Sequence, residues 1–352
     1  MVVVVGIDVH KGTHCAVAVD EAGRQLERPV TVRATDAGHR QLLRWARRTF
    51  TGDSVEFAVE DCRHVSGRLE RTLLDAAAPV VRVPPKLMAL TRTSARTRGK
   101  SDPIDALAIA RAALREPSLP RAEHTHASRE VKQLVDHRED LVGMRTGLQN
   151  RLRWHLHDLD PQLDPPARAL DLAKHLDRLQ VRLEVLPAST TRRIALEELA
   201  DIRALTGRIN GLEKELAELV RAQAPQLLTL PGCGTLTAAK LLGETANPAR
   251  FRSEACFAMH AGVAPIPASS GKTDRHRLAR GGNRQLNAAL HRIAVTQIRL
   301  DGLGRAYYQR RRAQGNTTME ALRALKRRLA RLVFHLLRPT DTAAGTSLPA
   351  VA

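Results

Sequence analysis

The chain has 352 residues, of which 43% are hydrophobic, and its formal net charge is +19. This hydrophobic content predicts folded domains, and no segment approaches the roughly 20 consecutive apolar residues of a membrane span. The charge is clustered, because residues 271–338 contain 17 Lys and Arg against three acids, which amounts to +14. Clustered positive charge indicates a polyanionic partner, most often nucleic acid. An arginine-rich surface that serves only solubility is the alternative.

The cysteines and the N-terminus bear on the cellular compartment. Four cysteines lie far apart and form no Cys-x-x-Cys pair, which is typical of reduced thiols. The first residues, Met-Val-Val-Val-Val, lack the basic lead and the cleavage site of a signal peptide. We therefore expect a cytoplasmic protein.

The first part of the chain alternates short apolar runs with amphipathic stretches. Strands are predicted at residues 2–8, 15–19, 29–32, 55–60 and 79–83, and helices at residues 37–48, 69–78 and 104–114. A strand meander followed by alternating helices and strands is the order of the ribonuclease-H-like α/β fold. We predict such a domain over residues 1–125.

A helical region with a seven-residue repeat follows. Leu134, Leu141 and Leu148 recur every seven residues, and the apolar residues from Ile202 to Leu219 follow a 3-4-3-4-3 spacing. This spacing is typical of the a and d positions of a coiled coil. Residues 126–224 are therefore predicted to form a coiled-coil arm, which either packs within the chain or forms an oligomer interface.

The sequence Leu-Pro-Gly-Cys-Gly, beginning at Leu230, opens a basic and mainly α-helical domain predicted over residues 225–338. Its pattern is that of a helix-hairpin-helix, in which Gly232 and Gly234 form a tight turn whose backbone N–H groups face a DNA phosphate. An ordinary pair of packed helices is the alternative. Residues 339–352 are small and polar and are predicted to be a disordered tail.

Four carboxylates occupy positions suited to a metal site. Asp8 ends the first predicted strand, Glu60 ends the fourth, and Asp102 and Asp105 open a predicted helix. A spacing of three places the last two on nearly the same helix face. Oxygen ligands of this kind suit Mg²⁺ or Mn²⁺, and a pair of such ions can clamp a phosphodiester. Alternatively, Asp102 caps its helix and Glu60 is a solvated strand end.

A second group of residues suited to phosphodiester chemistry lies in the C-terminal part of the chain. In Gly262-Val-Ala-Pro-Ile-Pro-Ala-Ser-Ser-Gly-Lys, a serine stands beside a glycine in a loop punctuated by prolines. Phosphoryl transfer needs an activated hydroxyl together with cations that neutralise phosphate oxygens. A serine that merely contacts phosphate is the alternative. The cations predicted to bind nucleic acid are Lys272, Arg275, Arg277, Arg280 and Arg284.

These motifs stand in the order of a known family. Through GIDVHK, VED, KSDPIDA, LPGCG and GVAPIPASSGK with LARGGNRQLNAAL, residues 2–338 resemble the DEDD transposases of bacterial insertion sequences, the bridge-RNA-guided recombinases. The resemblance implies a RuvC-like domain joined by a coiled coil to a serine-bearing transposase domain. It implies that Ser270, rather than Ser269, is the catalytic nucleophile. The acids it carries over as catalytic metal ligands are Asp8, Glu60, Asp102 and Asp105.

The resemblance also implies partners and a mechanism. The enzyme would cut and rejoin donor and target DNA through a Mg²⁺-assisted phosphoserine intermediate, guided by a structured RNA that the element encodes. It would act as a homodimer or homotetramer that associates with the bacterial nucleoid. Three alternatives are a metal-dependent junction nuclease without serine chemistry, a non-catalytic DNA-binding descendant, and an actin-like-fold kinase. The kinase alternative comes from GIDVHKGTHCAVAVDEAGR, which mimics the phosphate-holding strand-turn-strand of that fold. It lacks support, because no Asp-x-Gly-x-Gly loop appears downstream.

Overall fold

The chain divides into two compact units, one of Met1–Thr125, Asn247–Leu290 and Leu303–Ala352, the other of His126–Ala246 and His291–Gly302. The predicted tail at residues 339–352 lies outside the residues that the structure describes. A computed structural model describes residues 1–60, 63–85, 87–88, 91, 101–116, 119, 121–123, 126–269, 276–277, 279 and 281–338.

A mixed five-stranded sheet forms the N-terminal part of the first unit. The order of its strands is β3-β2-β1-β4-β5. β1 is antiparallel to β2 and parallel to β4, while β2–β3 is antiparallel and β4–β5 parallel. This topology confirms the predicted meander and fits the predicted RuvC-like α/β domain. The strands are β1 Val2–Val9, β2 Thr13–Val19, β3 Val30–Arg33, β4 Ser54–Glu60 and β5 Val80–Val83.

Helices cover both faces of this sheet. Valines of β1 alternate between two separate cores, since Val3 and Val5 pack with helices α1 and α2, and Val4 packs with α3. Burial on both faces explains why β1 is a nearly continuous apolar run. α2 begins at Arg63, before the predicted Leu69; Val65 stands four residues before Leu69 and packs against the same core. The helices are α1 Asp36–Thr49, α2 Arg63–Asp75 and α3 Asp102–Arg115.

The second unit is built around two long antiparallel helices, α4 and α6. Three side-chain pairs define their direction, namely Arg138 with Glu213, Arg145 with Thr206 and Arg151 with Glu198, at 3.1–3.3 Å. On α6 the a positions, Ile202, Ile209 and Leu216, are buried, whereas the d positions, Leu205, Leu212 and Leu219, are half-buried. The apolar stripe that the spacing predicts is therefore only partly covered by neighbouring helices. The helices of this unit are α4 His126–Leu159, α5 Ala173–Glu184, α6 Thr190–Gln223 and α7 Thr235–Thr245.

The C-terminal part of the chain is mainly helical, as predicted, with one two-stranded hairpin. No helix in the described ranges is long and apolar enough to span a membrane. Elsewhere in the described ranges and in this part, short 3₁₀ helices occur at Ala169–Asp171, Pro225–Thr229 and Pro248–Arg250. The other elements are α8 Glu254–His260, β6 Ile266–Pro267, β7 His276–Arg277, α9 Arg284–Arg299, α10 Leu303–Ala313 and α11 Thr318–Leu337.

A pair of histidines is buried between β2 and α1. His14 and His39 are each 1% exposed, and their Nε2 atoms lie 3.1 Å apart. Nδ1 of His39 lies 3.3 Å from the hydroxyl of Thr72. Burial, followed by the charge of His39, lowers the pKa of His14 from 6.5 to about 4. Both rings are therefore neutral at pH 7, with one N–H donating to the other ring's lone pair.

This pair should make the first unit sensitive to mild acid. The unfolded chain takes up a proton at His14 near pH 6.5, whereas the folded chain does so only near pH 4. The free energy of unfolding should therefore fall by about 3 kcal/mol in all, of which about 2 kcal/mol is lost between about pH 7 and about pH 5. Urea denaturation of the wild type and of His14→Leu, at about pH 7 and about pH 5, measures the difference.

His14→Leu should have a smaller pH dependence than the wild type, because it has no imidazole to protonate at this position. The matched control is His157→Gln, since His157 is exposed on α4. This control should keep the full pH dependence of the wild type. Equal pH dependence in wild type and His14→Leu would contradict the assignment of the effect to the buried pair.

Candidate active site

Two of the four predicted carboxylates lie at the same edge of the sheet. β1 and β4 run parallel, with Ile7 opposite Val59. Asp8 and Glu60 each follow these paired residues, so both stand at the carboxyl ends of neighbouring central strands. The side chain of Asp8 lies on the face that α3 covers, because side chains alternate along a strand and Val4 contacts the core of α3.

Gly6 lets α3 approach this edge closely. A Cβ at Gly6 would lie 2.1 Å from the carbonyl oxygen of Ala106 and 2.5 Å from the backbone nitrogen of Ala110. Only a glycine permits that contact between strand and helix backbones. The packing brings the first turn of α3, with Asp102 and Asp105, to the end of β1 that bears Asp8.

Asp102 is the first residue of α3 and not its cap. Ser101 occupies the N-cap position, and no side chain makes a capping hydrogen bond there. The capping role considered for Asp102 is therefore wrong, because the helix starts one residue earlier than that role requires. The Asp102 side chain is 55% exposed, which leaves its oxygens accessible to a ligand.

His10 joins the acids at this edge. Its Nε2 lies 3.0 Å from Oδ2 of Asp8 and 3.4 Å from Oδ1 of Asp102. One ligand atom from each of the three residues lies within 4.8 Å of the others. Two carboxylates and an imidazole form a donor set that suits Mn²⁺ and, through its oxygens, Mg²⁺. The residues present therefore fit a divalent cation.

The electrostatics of Asp8 are those of a buried acid among other acids. Burial raises the pKa of Asp8; the charge of His10 lowers it, and the charges of Asp105 and Asp102 raise it further. The neighbouring thiol of Cys15 has a raised pKa for the same main reason, its burial. A cation bound between these carboxylates would remove their mutual repulsion.

The four predicted acids are not equally close. Asp8 and Asp102 share the cluster with His10, whereas Glu60 and Asp105 do not belong to this set within the described part of the chain. Asp105 is 5% exposed and acts on Asp8 through its charge. Sequence reasoning missed His10. A usable signal was present, since His10 lies two residues after Asp8 and so points to the same face of the strand's extension.

The predicted nucleophile and several of the predicted cations lie outside the described residues, namely Ser270, Lys272, Arg275 and Arg280. Two of the predicted cations are described. Arg277 is exposed on β7, and Arg284 is exposed at the start of α9. Strands β6 and β7 pair Ile266 with Arg277 and Pro267 with His276. The pairing fixes Pro267 and His276, the residues on either side of the serine segment, next to one another.

The Gly-Gly-Asn stretch after this hairpin contacts Gly262 and caps the start of α9. A Cβ at Gly282 would lie 2.2 Å from the backbone nitrogen of Gly262, so the two segments touch directly. The Asn283 side chain accepts hydrogen bonds from the backbone N–H groups of Gln285 and Leu286 at the start of α9. The motif therefore holds the start of the serine-bearing region against α9.

The Leu-Pro-Gly-Cys-Gly turn has one covered and one open side. A Cβ at Gly232 would lie 2.9 Å from Cβ of Thr296, and the Gln297 side chain donates to the carbonyl of Pro231. No atom of the described residues lies within 4 Å of the Cβ position of Gly234, which caps α7. The short segment before the turn, Pro225–Thr229, is a 3₁₀ helix.

Comparisons with known proteins point to one family. Residues 5–161 match the IS110-type DEDD model described as Transposase, and residues 224–309 match the model described as Transposase IS116/IS110/IS902 family. An insertion element IS116 protein of Streptomyces clavuligerus is 28% identical to this chain, and the alignment covers 95% of this chain and 94% of that protein. An insertion element IS900 protein of Mycobacterium paratuberculosis is 26% identical over 95% of both chains.

Two further comparisons cover part of the chain. An insertion element IS110 protein of Streptomyces coelicolor is 36% identical over 46% of this chain and 41% of that protein. The T. thermophilus RuvC, solved in complex with a Holliday junction substrate, aligns with 35% of this chain and all of its own length. That alignment has 17% sequence identity and a TM-score of 0.27.

Proposed function

The chain belongs to the IS110 family of DEDD transposases, and we propose that it cuts and rejoins DNA through a phosphoserine at Ser270. The serine hydroxyl gives up its proton as Oγ attacks a backbone phosphorus, one P–O bond of the strand breaks, and the released deoxyribose oxygen takes up a proton to become a free hydroxyl. The reverse attack by a hydroxyl of another strand rejoins DNA without external energy. A nuclease that used only water would lose the energy of this bond.

The observation that carries the proposal is the cluster of Asp8, His10 and Asp102 at the carboxyl edge of β1. We propose that Asp8, Glu60, Asp102 and Asp105 hold Mg²⁺ or Mn²⁺ there, with His10 as an additional ligand. The chemistry that such an ion supplies when bound is polarisation of phosphate oxygens and neutralisation of developing charge. Asp8 is held by the sheet and Asp102 by the first turn of α3, so neither depends on a loop for its position.

The organisation that we propose has three parts, a metal-binding domain at 1–125, a coiled-coil arm at 126–224 and a basic transposase domain at 225–338. The antiparallel pairing of α4 and α6 supports the arm. Partly exposed apolar residues on this pair, of which Met144 is 60% exposed, support a subunit contact in a homodimer or homotetramer. In such an oligomer the metal site of one subunit and the serine of another could meet.

We further propose that sequence choice comes from an RNA that the element encodes. The basic residues are exposed at Arg277 and Arg284, and the proposed phosphate contact at Gly234 uses backbone. Contacts of these kinds bind nucleic acid backbones and carry no sequence information directly. A separate molecule that pairs with donor and target DNA would supply the missing specificity.

Binding of purified protein to duplex DNA tests this RNA guidance. The protein alone should bind the element junction and a scrambled duplex of equal length with similar affinity. Addition of the element's RNA should produce a preference for the junction, measured by competition in gel-shift assays. A scrambled RNA of the same length is the control. Strong preference for the junction in the absence of RNA would contradict the proposal.

A further inference from the structure

A strongly cationic cleft opens in the C-terminal part of the first unit, between the β6–β7 hairpin and helices α10 and α11. It encloses about 740 Å³. Among its described lining residues the one acid is Glu320, whose carboxylate accepts hydrogen bonds at 2.8 Å from the backbone and hydroxyl of Thr317. The positively charged lining residues are Arg277, Arg311, Arg323, Lys326, Arg327 and Arg328.

Lys326 is the buried cation of this cleft. It is 6% exposed, and its ammonium group donates a hydrogen bond to Oδ1 of Asn287 at 2.6 Å. In the described part of the chain, Lys326 forms no ion pair with a carboxylate. Lys240, by contrast, is 3% exposed and pairs with Glu139. Lys326 therefore uses one of its three N–H donors and leaves two for a ligand.

The energetics of Lys326 favour an anion in the cleft. Burial lowers the pKa of Lys326, and the charge of Arg323 adds to this effect. A buried charge without an opposite charge destabilises the folded state. An anion that entered the cleft would neutralise this charge and those of the arginines around it.

The ammonium group of Lys326 is held in place before any ligand binds. The amide nitrogen of Asn287 donates to the carbonyl oxygens of Ala261 at 3.2 Å and Gly262 at 2.8 Å. These bonds orient Oδ1 of Asn287 toward α11, where it accepts from Lys326. A donor whose orientation is fixed in advance loses little entropy when it binds a ligand.

An aromatic ring in the same cleft narrows the choice of anion. Tyr307 lines the cleft, and the guanidinium groups of Arg328 and Arg310 lie 4.3 Å and 5.3 Å from the centre of its ring. Aromatic faces among arginines are typical of surfaces that bind single-stranded nucleic acid. Inorganic anions would gain nothing from the ring.

We infer that this cleft binds a phosphodiester group of a single DNA strand, with Lys326 and Arg323 as its donors. The inference rests on the proposed function in one respect, namely that the bound single strand is DNA. Lys326, although buried, is thus assigned a role in binding the DNA substrate.

Two variants of the full-length chain test the inference. Lys326→Met keeps the length of the side chain and removes its charge, and Arg323→Gln removes a charge from the cleft wall. Anisotropy of a fluorescent single-stranded DNA oligonucleotide in EDTA gives the affinity. Lys326→Met should weaken binding by about tenfold or more, while its melting temperature stays unchanged or rises because a buried charge is removed. Arg323→Gln should also weaken binding.

The matched control is Lys240→Met, which also removes a buried lysine. It should bind the oligonucleotide like the wild type and melt at a lower temperature, since it leaves Glu139 without its partner. Wild-type affinity in both cleft variants would overturn the inference, and Arg323→Gln alone decides if Lys326→Met does not fold. An RNA oligonucleotide of the same sequence is the second arm. Loss confined to RNA would also overturn the assignment to DNA.

These experiments separate the inference from the proposed serine chemistry. Binding is measured in the Ser270→Ala background and without divalent metal, so neither cleavage nor an adduct contributes to the signal. If no phosphoserine forms but Lys326→Met still weakens DNA binding, the DNA-binding role of the cleft is supported and the serine mechanism is not. If the wild type forms the phosphoserine but neither Lys326→Met nor Arg323→Gln changes DNA affinity, only the role of the cleft is contradicted.

Discussion

Asp8→Asn should abolish DNA strand exchange, lowering its rate by at least about a hundredfold, while the protein stays folded. Loss of a residue that merely orients a metal ligand commonly lowers metal affinity or activity by about 10- to 100-fold. Loss of a ligand itself should lower activity by at least as much. Asp8 is 4% exposed, and burial raises its pKa. Removal of its charge should therefore leave the melting temperature unchanged or higher. Strand exchange on a labelled junction substrate and thermal unfolding measure the two effects.

Asp75→Asn is the matched control for this variant. Asp75 is exposed at the end of α2, outside the acidic cluster, so its replacement changes the net charge equally and should leave strand exchange intact. Titration with Mn²⁺, followed by calorimetry, gives a readout that does not depend on activity. Asp8→Asn should lose this binding, and His10→Ala should weaken it. Unchanged Mn²⁺ binding in Asp8→Asn would contradict the proposed metal site.

Ser270→Ala should bind DNA and RNA like the wild type and exchange no strands. The substitution removes one hydroxyl and leaves the cationic residues in place, so affinity is expected to persist while the covalent step is lost. Ser269→Ala is the matched control, because it removes the neighbouring hydroxyl at an exposed position. It should keep at least partial strand exchange. Strand exchange by Ser270→Ala would contradict the assignment of the nucleophile.

The α/β part of the fold could be predicted because its elements have distinct local patterns. β1 is a run of valines that is buried on both faces, and α3 has helical spacing directly after a Ser-Asp-Pro start. The order of these elements then restricts the topology of the sheet. The long helices were also evident, but their spacing did not reveal how far the partner covers each position. Met144 follows the repeat and is nonetheless 60% exposed.

The site was only partly predictable, since some of its contacts depend on tertiary packing. Asp8 and Glu60 could be placed together because parallel strands end at one edge. The contact of His10 with Asp102 depends on the crossing of α3 over β1, which Gly6 allows. Lys326 and Asn287 are 39 residues apart on different helices, and no local pattern links them. Their pairing therefore emerged only from the structure.

The identity of the residue that becomes linked to DNA tests the central claim most directly. Wild-type protein is incubated with a DNA substrate that cannot be rejoined after cleavage, digested with protease, and the DNA-linked peptide is sequenced by mass spectrometry. We predict a phosphoester on Ser270 that forms only with a divalent cation and is absent from Asp8→Asn. Cleavage without any covalent peptide, or a phosphoester on Ser269, would contradict the proposed mechanism.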